Sequence, residues 1–388
     1  MKKKLFFIVL KVWFSLLFIS FISCKSAAIK YTSFKPGELW LDNNNQFINA
    51  HGGGFLIYNN TYYWFGEHKG SGKDGSKAFV GVRVYSSKDL YNWKNEGVAL
   101  HVLKDTLSKL QEGCTIERPK VIYNKKTGKF VMWFHHELKG EKYKAALTGI
   151  AVADNVTGPF EYIESYRIHA GILPLNMTQE TFDNIRPIDE NQKLTKQIRI
   201  DQAKSGELFK RDFKGGQMSR DMTLFVDDDE TAYHITASEE NQTMLISKLS
   251  DDYLSLSGEY IRILPGERNE APAVLKKLKK YYMFTSGLTG WDPNPAKLSV
   301  ATSMMGHWTS LGNPCKGSED EKNNTFWSQS TYIIPVIGKK DAFIFAADRW
   351  IGDNLIDSRY IWLPIQFEND IPFLKWQDEW DLSFFQPN

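Results

Sequence analysis

Apolar and polar positions along the chain follow a hairpin pattern that recurs five times. In each unit, a polar residue precedes a short apolar strand, a turn and a second strand rich in aromatic residues. The five units are HGGGFLIYNNTYYWFGEH from His51, ERPKVIYNKKTGKFVMWFHHE from Glu117, DMTLFVDDDETAYHITASEE from Asp221, EAPAVLKKLKKYYMFTSG from Glu270 and QSTYIIPVIGKKDAFIFAADRW from Gln329. Turn-forming residues such as Asn59-Asn60 separate the two apolar runs, so each unit is predicted to form a β-hairpin.

Most of the hairpins are followed by a third apolar run that ends in a polar loop, as in VRVYSSKDLYNW from Val82. No amphipathic helical pattern of useful length competes with these strands. Repeated antiparallel units with regular turn signals are typical of a radial propeller. The sequence therefore predicts an all-β, five-bladed β-propeller formed by a single domain over residues 25–388.

The segment from about residue 165 to 215 interrupts this rhythm. It contains Pro174 and Pro187 together with several Asn and Gln residues, and it lengthens one connection well beyond an ordinary loop. We interpret it as an insertion over the face of the propeller. Whether it lines a binding site stays open at this point.

The N-terminus has the features of an export signal. Lys2, Lys3 and Lys4 precede a nearly continuous apolar run, Leu5 to Ile22, which ends at Ser23-Cys24. A Cys in this place is typical of a bacterial lipobox, although Phe21 stands where Leu is usual. Residues 1–24 are thus predicted to be a lipoprotein-type signal peptide with Cys24 as the lipidated residue, and an uncleaved transmembrane anchor is the alternative.

The low net charge argues against one class of function. The net charge is only +2 and no basic stripe is evident, which argues against a nucleic-acid partner.

We expect an exported monomer, held at the bacterial cell envelope only by its lipid anchor. Cys114 and Cys315 are expected to be buried free thiols.

The residues that lead the five hairpins are the candidates for chemistry. Innermost strands of a propeller start at one face of the central channel, so equivalent positions in the repeats converge. The leading residues are His51, Glu117, Asp221, Glu270 and Gln329. Three carboxylates around one pocket provide what glycoside hydrolysis needs, namely an acid for the leaving oxygen and a base for water. The structural alternative is that each polar residue simply caps its strand.

These residues resemble glycoside hydrolase family 43, and most closely its exo-β-1,3-galactanase and exo-galactosidase branch. The matching stretches are Ala50 to Gly54, Glu117 to Pro119, Ser219 to Thr223, Glu270 to Ala273 and Thr289 to Asn294. The resemblance covers nearly all of the mature chain. It implies a five-bladed propeller, an inverting mechanism and a polysaccharide or oligosaccharide substrate. We expect no cofactor, and no metal either, because Asp227-Asp228-Asp229 is typical of a hairpin turn and lacks the spacing of a calcium loop.

The resemblance also implies a role for each leading residue. Glu270 matches the general acid, Asp221 the carboxylate that tunes and orients it, and Glu117 a carboxylate that contacts substrate. The Asp that is the usual base of the family is replaced by His51 and three glycines. Gln329 matches the Gln that is proposed to hold the water in this branch, and Glu117 or Glu67 acting through water is a possible substitute.

Residues on the connecting loops complete the candidate site. Trp291 lies in a loop rich in Gly and Pro and could stack on a sugar face, or it could anchor the loop. His51 could contact substrate, or it could be a buried, hydrogen-bonded histidine. The substrate-binding candidates are Glu67, His51, Asn241, Thr289 and Trp291, and Arg349 and Trp350 could form the rim.

Three functions remain open from the sequence. The first is an exo-acting enzyme that releases galactose from β-1,3-galactan or arabinogalactan. The second is an α-L-arabinofuranosidase or β-xylosidase of the same family, because pocket loops rather than the fold decide specificity. The third is a glycan-binding propeller without activity, which the missing base favours and the presence of Glu270 and Asp221 disfavours. A surface structural protein is a more distant fourth.

Overall fold

Antiparallel sheets surround a central channel in the computed structural model, which describes residues 29–189 and 192–385. Sheet 1 comprises β1 (His51–Tyr58), β2 (Thr61–Glu67), β3 (Gly81–Ser87) and β4 (Lys94–His101). Sheet 2 comprises β5 (Thr115–Asn124), β6 (Lys129–Glu137), β7 (Leu147–Ala153) and β8 (Glu161–Tyr166). Sheet 3 comprises β9 (Met222–Val226), β10 (Ala232–Ser238), β11 (Thr243–Leu249) and β12 (Leu256–Ile263). Sheet 4 comprises β13 (Glu270–Lys277), β14 (Lys280–Ser286), β15 (Lys297–Ala301) and β16 (Thr309–Gly312). Sheet 5 comprises β18 (Gln329–Pro335), β19 (Phe343–Arg349) and β20 (Arg359–Pro364), and an outer sheet comprises β17 (Cys315–Lys316), β21 (Gln366–Glu368) and β22 (Ile371–Lys375).

The all-β propeller is confirmed, whereas the predicted count of five blades is wrong, because the described residues form six sheets. Strands β1, β5, β9, β13 and β18 contact one another in that order, and β18 contacts β1 and closes the ring. The outer sheet packs against β20. It pairs Cys315 in parallel with Leu374 and β21 with β22 in a short antiparallel hairpin, so it joins a two-residue strand to a distant segment outside the five repeats. Counting repeats therefore could not find it.

The two ends of the described chain meet at the seam between sheets 1 and 5. The backbone N–H of Phe34 donates to the carbonyl of Trp380 at 2.7 Å. Around this bridge, Trp64, Trp93 and Trp362 are buried in one apolar cluster. The burial of these large aromatic side chains stabilises the closure of the ring.

The segment at 165–215 forms three short helices: α1 (Gln179–Asn184), α2 (Lys196–Ser205) and α3 (Glu207–Asp212). It packs on sheet 3, where His169 stacks on Tyr260 with ring centroids 3.7 Å apart. Elsewhere, α4 (Glu319–Asn324) precedes β18, and short 3-10 turns span Leu355–Asp357 and Leu382–Phe384. No helix among the described residues is long and apolar enough to cross a membrane. The predicted signal peptide and Cys24 lie outside the described residues.

A β-bulge follows the leading residue on three of the innermost strands. The register shifts after His51, Glu117 and Glu270, and the next residues, Gly52, Arg118 and Ala271, have φ of 55°, 55° and 52°. Each of these bulged residues donates its backbone N–H to a carboxylate of the preceding sheet in the ring. The pairs are Gly52 with Asp348 at 3.0 Å, Arg118 with Glu67 at 2.9 Å and Ala271 with Asp221 at 3.1 Å. Bulges redirect side chains next to functional sites, and here they also join neighbouring sheets.

Candidate active site

A pocket of about 250 Å³ opens at the end of the channel where the innermost strands begin. Its lining residues come from all five sheets of the ring or their loops. They are Glu67, Lys69, Glu117, Arg118, His135, Tyr143, Arg220, Asp221, Asn241, Glu270, Gly290, Trp291, Gln329 and Trp350. All five leading residues were predicted to converge, and the structure brings together four of them, all but His51. The four roles assigned to them stay predictions.

Glu270 is the first residue of β13, and its environment favours the protonated acid. Asn241 donates its side-chain N–H to Glu270 Oε1 at 2.5 Å. Burial, followed by the negative charge of Asp221, raises the pKa of Glu270 to about 8 against the opposing charges of Arg118 and Arg220. A carboxylic acid that keeps its proton at neutral pH can act as a general acid.

Asp221 lies between the candidate acid, Glu270, and the guanidinium group of Arg118. Its Oδ2 accepts a hydrogen bond from the backbone N–H of Ala271, next to Glu270. The same oxygen forms an ion pair with Arg118 at 2.9 Å. Backbone and guanidinium donors together fix the orientation of this carboxylate.

Glu117 belongs to a buried network of hydrogen bonds that was not predicted from the sequence. His135 contacts Glu117 Oε2 through Nδ1 at 3.1 Å and Glu137 Oε1 through Nε2 at 2.8 Å, and Tyr143 donates its hydroxyl to Glu117 Oε1 at 2.7 Å. Burial lowers the pKa of His135, but the two carboxylates outweigh it and raise the pKa to about 9. Burial raises the pKa of Glu117, yet the hydrogen bond from His135 and the charge of Lys69 outweigh it and lower the pKa to about 2.

The cluster of Glu117, His135 and Asp221 has a spacing that could suit a metal ion, with one potential ligand atom of each residue within 4.8 Å of the others. Both ring nitrogens of His135 are engaged by carboxylates, so a protonated imidazole offers no lone pair. The expectation of a site without metal stays a prediction.

Both polar atoms of the Gln329 side-chain amide form hydrogen bonds. Its Oε1 accepts hydrogen bonds from Arg118 at 2.5 Å and from the indole of Trp350 at 2.9 Å. Its Nε2 donates to Ser286 Oγ at 2.9 Å. Two donors on the oxygen match the carbonyl of an ordinary amide, whereas an imidic acid would need an acceptor for its O–H.

Glu67 ends β2 and is buried beside a lysine. Its Oε2 forms a close ion pair with Lys69. Burial raises the pKa of Glu67, partly offset by the charge of Lys69. The glycines after His51 permit this packing, because a Cβ on Gly52 would lie 2.0 Å from Glu67 Oε1.

Trp291 lines the pocket, as predicted, and contacts a second indole. The rings of Trp291 and Trp350 meet edge to face with centroids 5.1 Å apart. Lys69 Nζ lies 5.4 Å from the centroid of Trp291 and 5.6 Å from that of Trp350, within cation–π range. The aromatic wall is thereby held in place by a buried cation.

Two of the predicted substrate-binding residues do not line the pocket. His51 is fully buried, contacts Asp348 Oδ1 through Nδ1 at 2.9 Å and stacks on Tyr360. Thr289 donates its hydroxyl to the carbonyl of Asp292 at 2.6 Å. Both side chains have structural roles. His51 stabilises the ring of sheets below the pocket, and Thr289 stabilises the loop that carries Trp291.

The insertion supports the site without lining it, among the residues that the structure describes. Arg199 and Arg211 form ion pairs with Glu240 at 2.9 Å and 2.5 Å. Glu240 directly precedes Asn241, which donates to Glu270. The insertion therefore holds the loop that contacts the candidate acid.

Sequence reasoning missed five polar residues that line the pocket or hold its carboxylates. They are Lys69, Arg118, His135, Tyr143 and Arg220. Arg118 and Arg220 lie inside the stretches matched to the family, so their position could have identified them as pocket residues. Lys69, His135 and Tyr143 lie outside those stretches, and only the fold brings their side chains to the pocket. Cys114 and Cys315 are buried and unpaired, as expected.

Comparison with known proteins gives the family. The chain matches the solved structure of a family 43 β-1,3-galactosidase with galactodeoxynojirimycin at 49% identity, covering 90% of this chain and 100% of that one with a TM-score of 0.81. It matches an exo-β-1,3-galactanase from Clostridium thermocellum at 34% identity (90% and 67% covered, TM-score 0.71). It also matches an exo-β-1,3-galactanase from Phanerochaete chrysosporium, in complex with β-1,3-galactotriose, at 29% (91% and 68% covered, TM-score 0.71). No protein-family model and no curated protein matched the chain.

The propeller and its pocket of acids are those of a carbohydrate-cleaving enzyme. The chain belongs to glycoside hydrolase family 43.

Proposed function

We propose that the protein is an inverting exo-glycosidase that releases terminal galactose from β-1,3-galactan or arabinogalactan. The observation that carries this proposal is Glu270, a carboxyl group with a pKa of about 8 beside Asp221 in a pocket. The pocket is smaller than the ~300–1,000 Å³ of most small-molecule sites, which suits one terminal sugar. The related structures are those of a β-1,3-galactosidase and an exo-β-1,3-galactanase, which supports galactose as that sugar.

In the proposed reaction, Glu270 donates its proton to the glycosidic oxygen as the bond to the anomeric carbon breaks. Water attacks that carbon from the opposite face, so the released sugar has the inverted configuration. Asp221 keeps Glu270 protonated before the step, and Arg118 and Arg220 offset the negative charge on Glu270 after it.

Gln329 positions the attacking water, and its neutral amide leaves the proton of that water to a carboxylate of the same pocket, Glu117 or Glu67. Gln329→Ala should lower kcat by about 10²-fold, the usual size of the loss when a reacting group is misplaced. Azide is a stronger nucleophile than water and depends less on being positioned by Gln329, so it should restore turnover of this variant and yield the α-galactosyl azide. Failure of azide to restore turnover would contradict the water-positioning role.

The direct test incubates the purified protein with β-1,3-galactan, arabinan and xylan oligomers and follows the released sugars by chromatography. Galactose from β-1,3-galactan, appearing first as the α-anomer by NMR, is the expected result. Arabinose or xylose would instead assign another specificity of the family. Binding of galactan without any product would assign a glycan-binding propeller.

We also propose that the chain is exported as a monomer and anchored to the bacterial envelope through Cys24. The basic start, the apolar run and the Cys that follows it support this placement. Incorporation of labelled fatty acid into the wild type but not into Cys24→Ala is the expected result. Equal labelling of both would reject the anchor.

A further inference from the structure

The loop between β10 and β11 carries three consecutive residues in an uncommon backbone conformation. Glu239, Glu240 and Asn241 have φ of 52°, 56° and 61°, in the left-handed region that non-glycine residues rarely occupy. Such conformations persist only where surrounding contacts maintain them, and they cluster at functional sites. Because Asn241 donates a hydrogen bond to Glu270, the contacts that maintain this loop also affect the candidate acid.

Glu239 fixes the start of the loop to sheet 3. Its side chain is fully buried, and its two oxygens accept hydrogen bonds from the guanidinium of Arg262 on β12 at 2.5 Å and 2.7 Å. Thr243 on β11 donates its hydroxyl to Glu239 Oε2 at 3.0 Å. Arg262 also donates to the carbonyl of Ala203 in α2, so this bidentate pair contacts the insertion as well.

Glu240 connects the loop directly to the insertion. Its Oε2 forms an ion pair with Arg199 of α2 at 2.9 Å, and its Oε1 forms one with Arg211 of α3. The insertion is itself fixed to sheet 3, because Tyr260 of β12 donates its hydroxyl to the carbonyl of Ile172 at 2.6 Å. Two arginines from a segment outside the hairpin repeats thus hold the carboxylate that precedes Asn241.

Asn241 carries the position of the loop to Glu270. Its Nδ2 donates to Glu270 Oε1 at 2.5 Å. An oxygen that accepts this hydrogen bond serves as the carbonyl oxygen of the protonated carboxyl group, so the acidic proton resides on Oε2. A general acid must hold its proton within hydrogen-bond reach of the leaving oxygen. A displacement of Asn241 would therefore change the direction in which Glu270 presents its proton.

We propose that Glu240 is a positioning residue for the general acid, and that its ion pairs with Arg199 and Arg211 make the insertion a positioning element of the active site. The inference rests on the proposed function, because it takes Glu270 as the acid. The ion pairs maintain the left-handed loop, the loop places the amide of Asn241, and that amide orients Glu270. The insertion acts on the proton transfer in this way without lining the pocket.

The experiment compares two substrates that differ in their need for a proton on the leaving group. β-1,3-Galactobiose releases a sugar hydroxyl and needs the acid, whereas 2,4-dinitrophenyl β-galactoside releases a stable phenolate and does not. Glu240→Ala should lower the ratio of kcat/KM for galactobiose to kcat/KM for the dinitrophenyl galactoside by about tenfold or more, since a displacement of about 1 Å can cost about 10²-fold in rate. Glu240→Gln keeps an acceptor for one arginine and should recover part of the ratio.

Glu96→Ala is the matched control. The side chain of Glu96 is 20% exposed, against 28% for Glu240, and it pairs with Lys94 on the outermost strand of sheet 1. An unchanged ratio in Glu240→Ala, or an equal fall in Glu96→Ala, would overturn the proposal. If Glu240→Ala does not fold, the double variant Arg199→Gln/Arg211→Gln removes the same ion pairs and should lower the ratio likewise; an unchanged ratio there would also overturn it.

A wild-type protein that cleaves neither substrate would overturn the proposed function, and NMR then tests the positioning role separately. The side-chain amide signal of Asn241, identified by its absence in Asn241→Asp, should shift in Glu240→Ala and stay in place in Glu96→Ala. An Asn241 amide signal that is the same in the wild type and in Glu240→Ala would reject the positioning role.

Discussion

Asp221→Asn should move the pH profile of the enzyme without removing its acid. The negative charge of Asp221 is the largest cause, after burial, of the high pKa of Glu270. The substitution removes this charge and also frees Arg118, whose charge lowers the same pKa. Both effects act in one direction, so the pKa of Glu270 should fall.

The expected size follows from the pKa of Glu270, about 8. A charged neighbour is worth about 1–3 units; with 1–2 units, the lower part of that range, we expect a pKa of roughly 6–7. The protonated fraction at pH 7 would fall from about 90% to about 10–50%, and at pH 8 from about 50% to about 1–10%. The loss should therefore grow as the pH rises.

The assay is kcat/KM for β-1,3-galactobiose from pH 4 to pH 10, followed by released galactose, since this profile reports the groups of the free enzyme. The alkaline limb should move down by about 1–2 units in Asp221→Asn. Asp251→Asn provides the matched control, because that carboxylate is 93% exposed and pairs only with Lys126 in the described structure. An alkaline limb that stays in place while activity falls uniformly would refute the link between Asp221 and the proton on Glu270.

Three further outcomes are expected. Glu270→Gln should abolish turnover of unactivated galactosides while calorimetry still detects oligosaccharide binding, and full activity in this variant would exclude Glu270 as the acid. The folded-state pKa of His135 is about 9, so between about pH 6.5 and pH 9 the folded protein binds one more proton than the unfolded protein. The contribution of His135 to the free energy of unfolding is therefore lost as the pH rises through that window. Thermal unfolding should show this slope in wild type and a flatter one in His135→Gln; identical slopes would contradict a charged His135. Gly52→Ala should unfold at lower temperature by several degrees, because its φ is 55° and the new Cβ would overlap Glu67; an unchanged melting temperature would contradict that crowding.

The sequence predicted the parts of the fold and site that repeat. Glu117, Asp221, Glu270 and Gln329 each stand close to the start of an innermost strand, and the propeller geometry alone brings equivalent starts together. His51 shares that position yet lies beneath the pocket, because Asp348 of sheet 5 holds its ring. Equivalence of position did not specify the direction of the side chain.

The features that do not repeat could not be predicted in this way. His135 enters the site from the second strand of its hairpin, where alternation alone reads it as an ordinary buried residue. Lys69 and Tyr143 reach it from loops whose path depends on neighbouring sheets. The outer sheet joins Cys315 to Leu374, a pairing that depends on the closed ring and leaves no local pattern.

One of the bulge contacts between neighbouring sheets, that of Gly52 with Asp348, is expected to make the site a product of the last stage of folding. Gly52 and Asp348 are separated by 296 positions along the chain, so their contact has a high loop-closure cost and forms late. The same contact joins the first and fifth sheets at the floor of the pocket. A nascent or truncated chain can fold several hairpins and still lack a working centre, so catalytic activity itself reports complete closure of the ring.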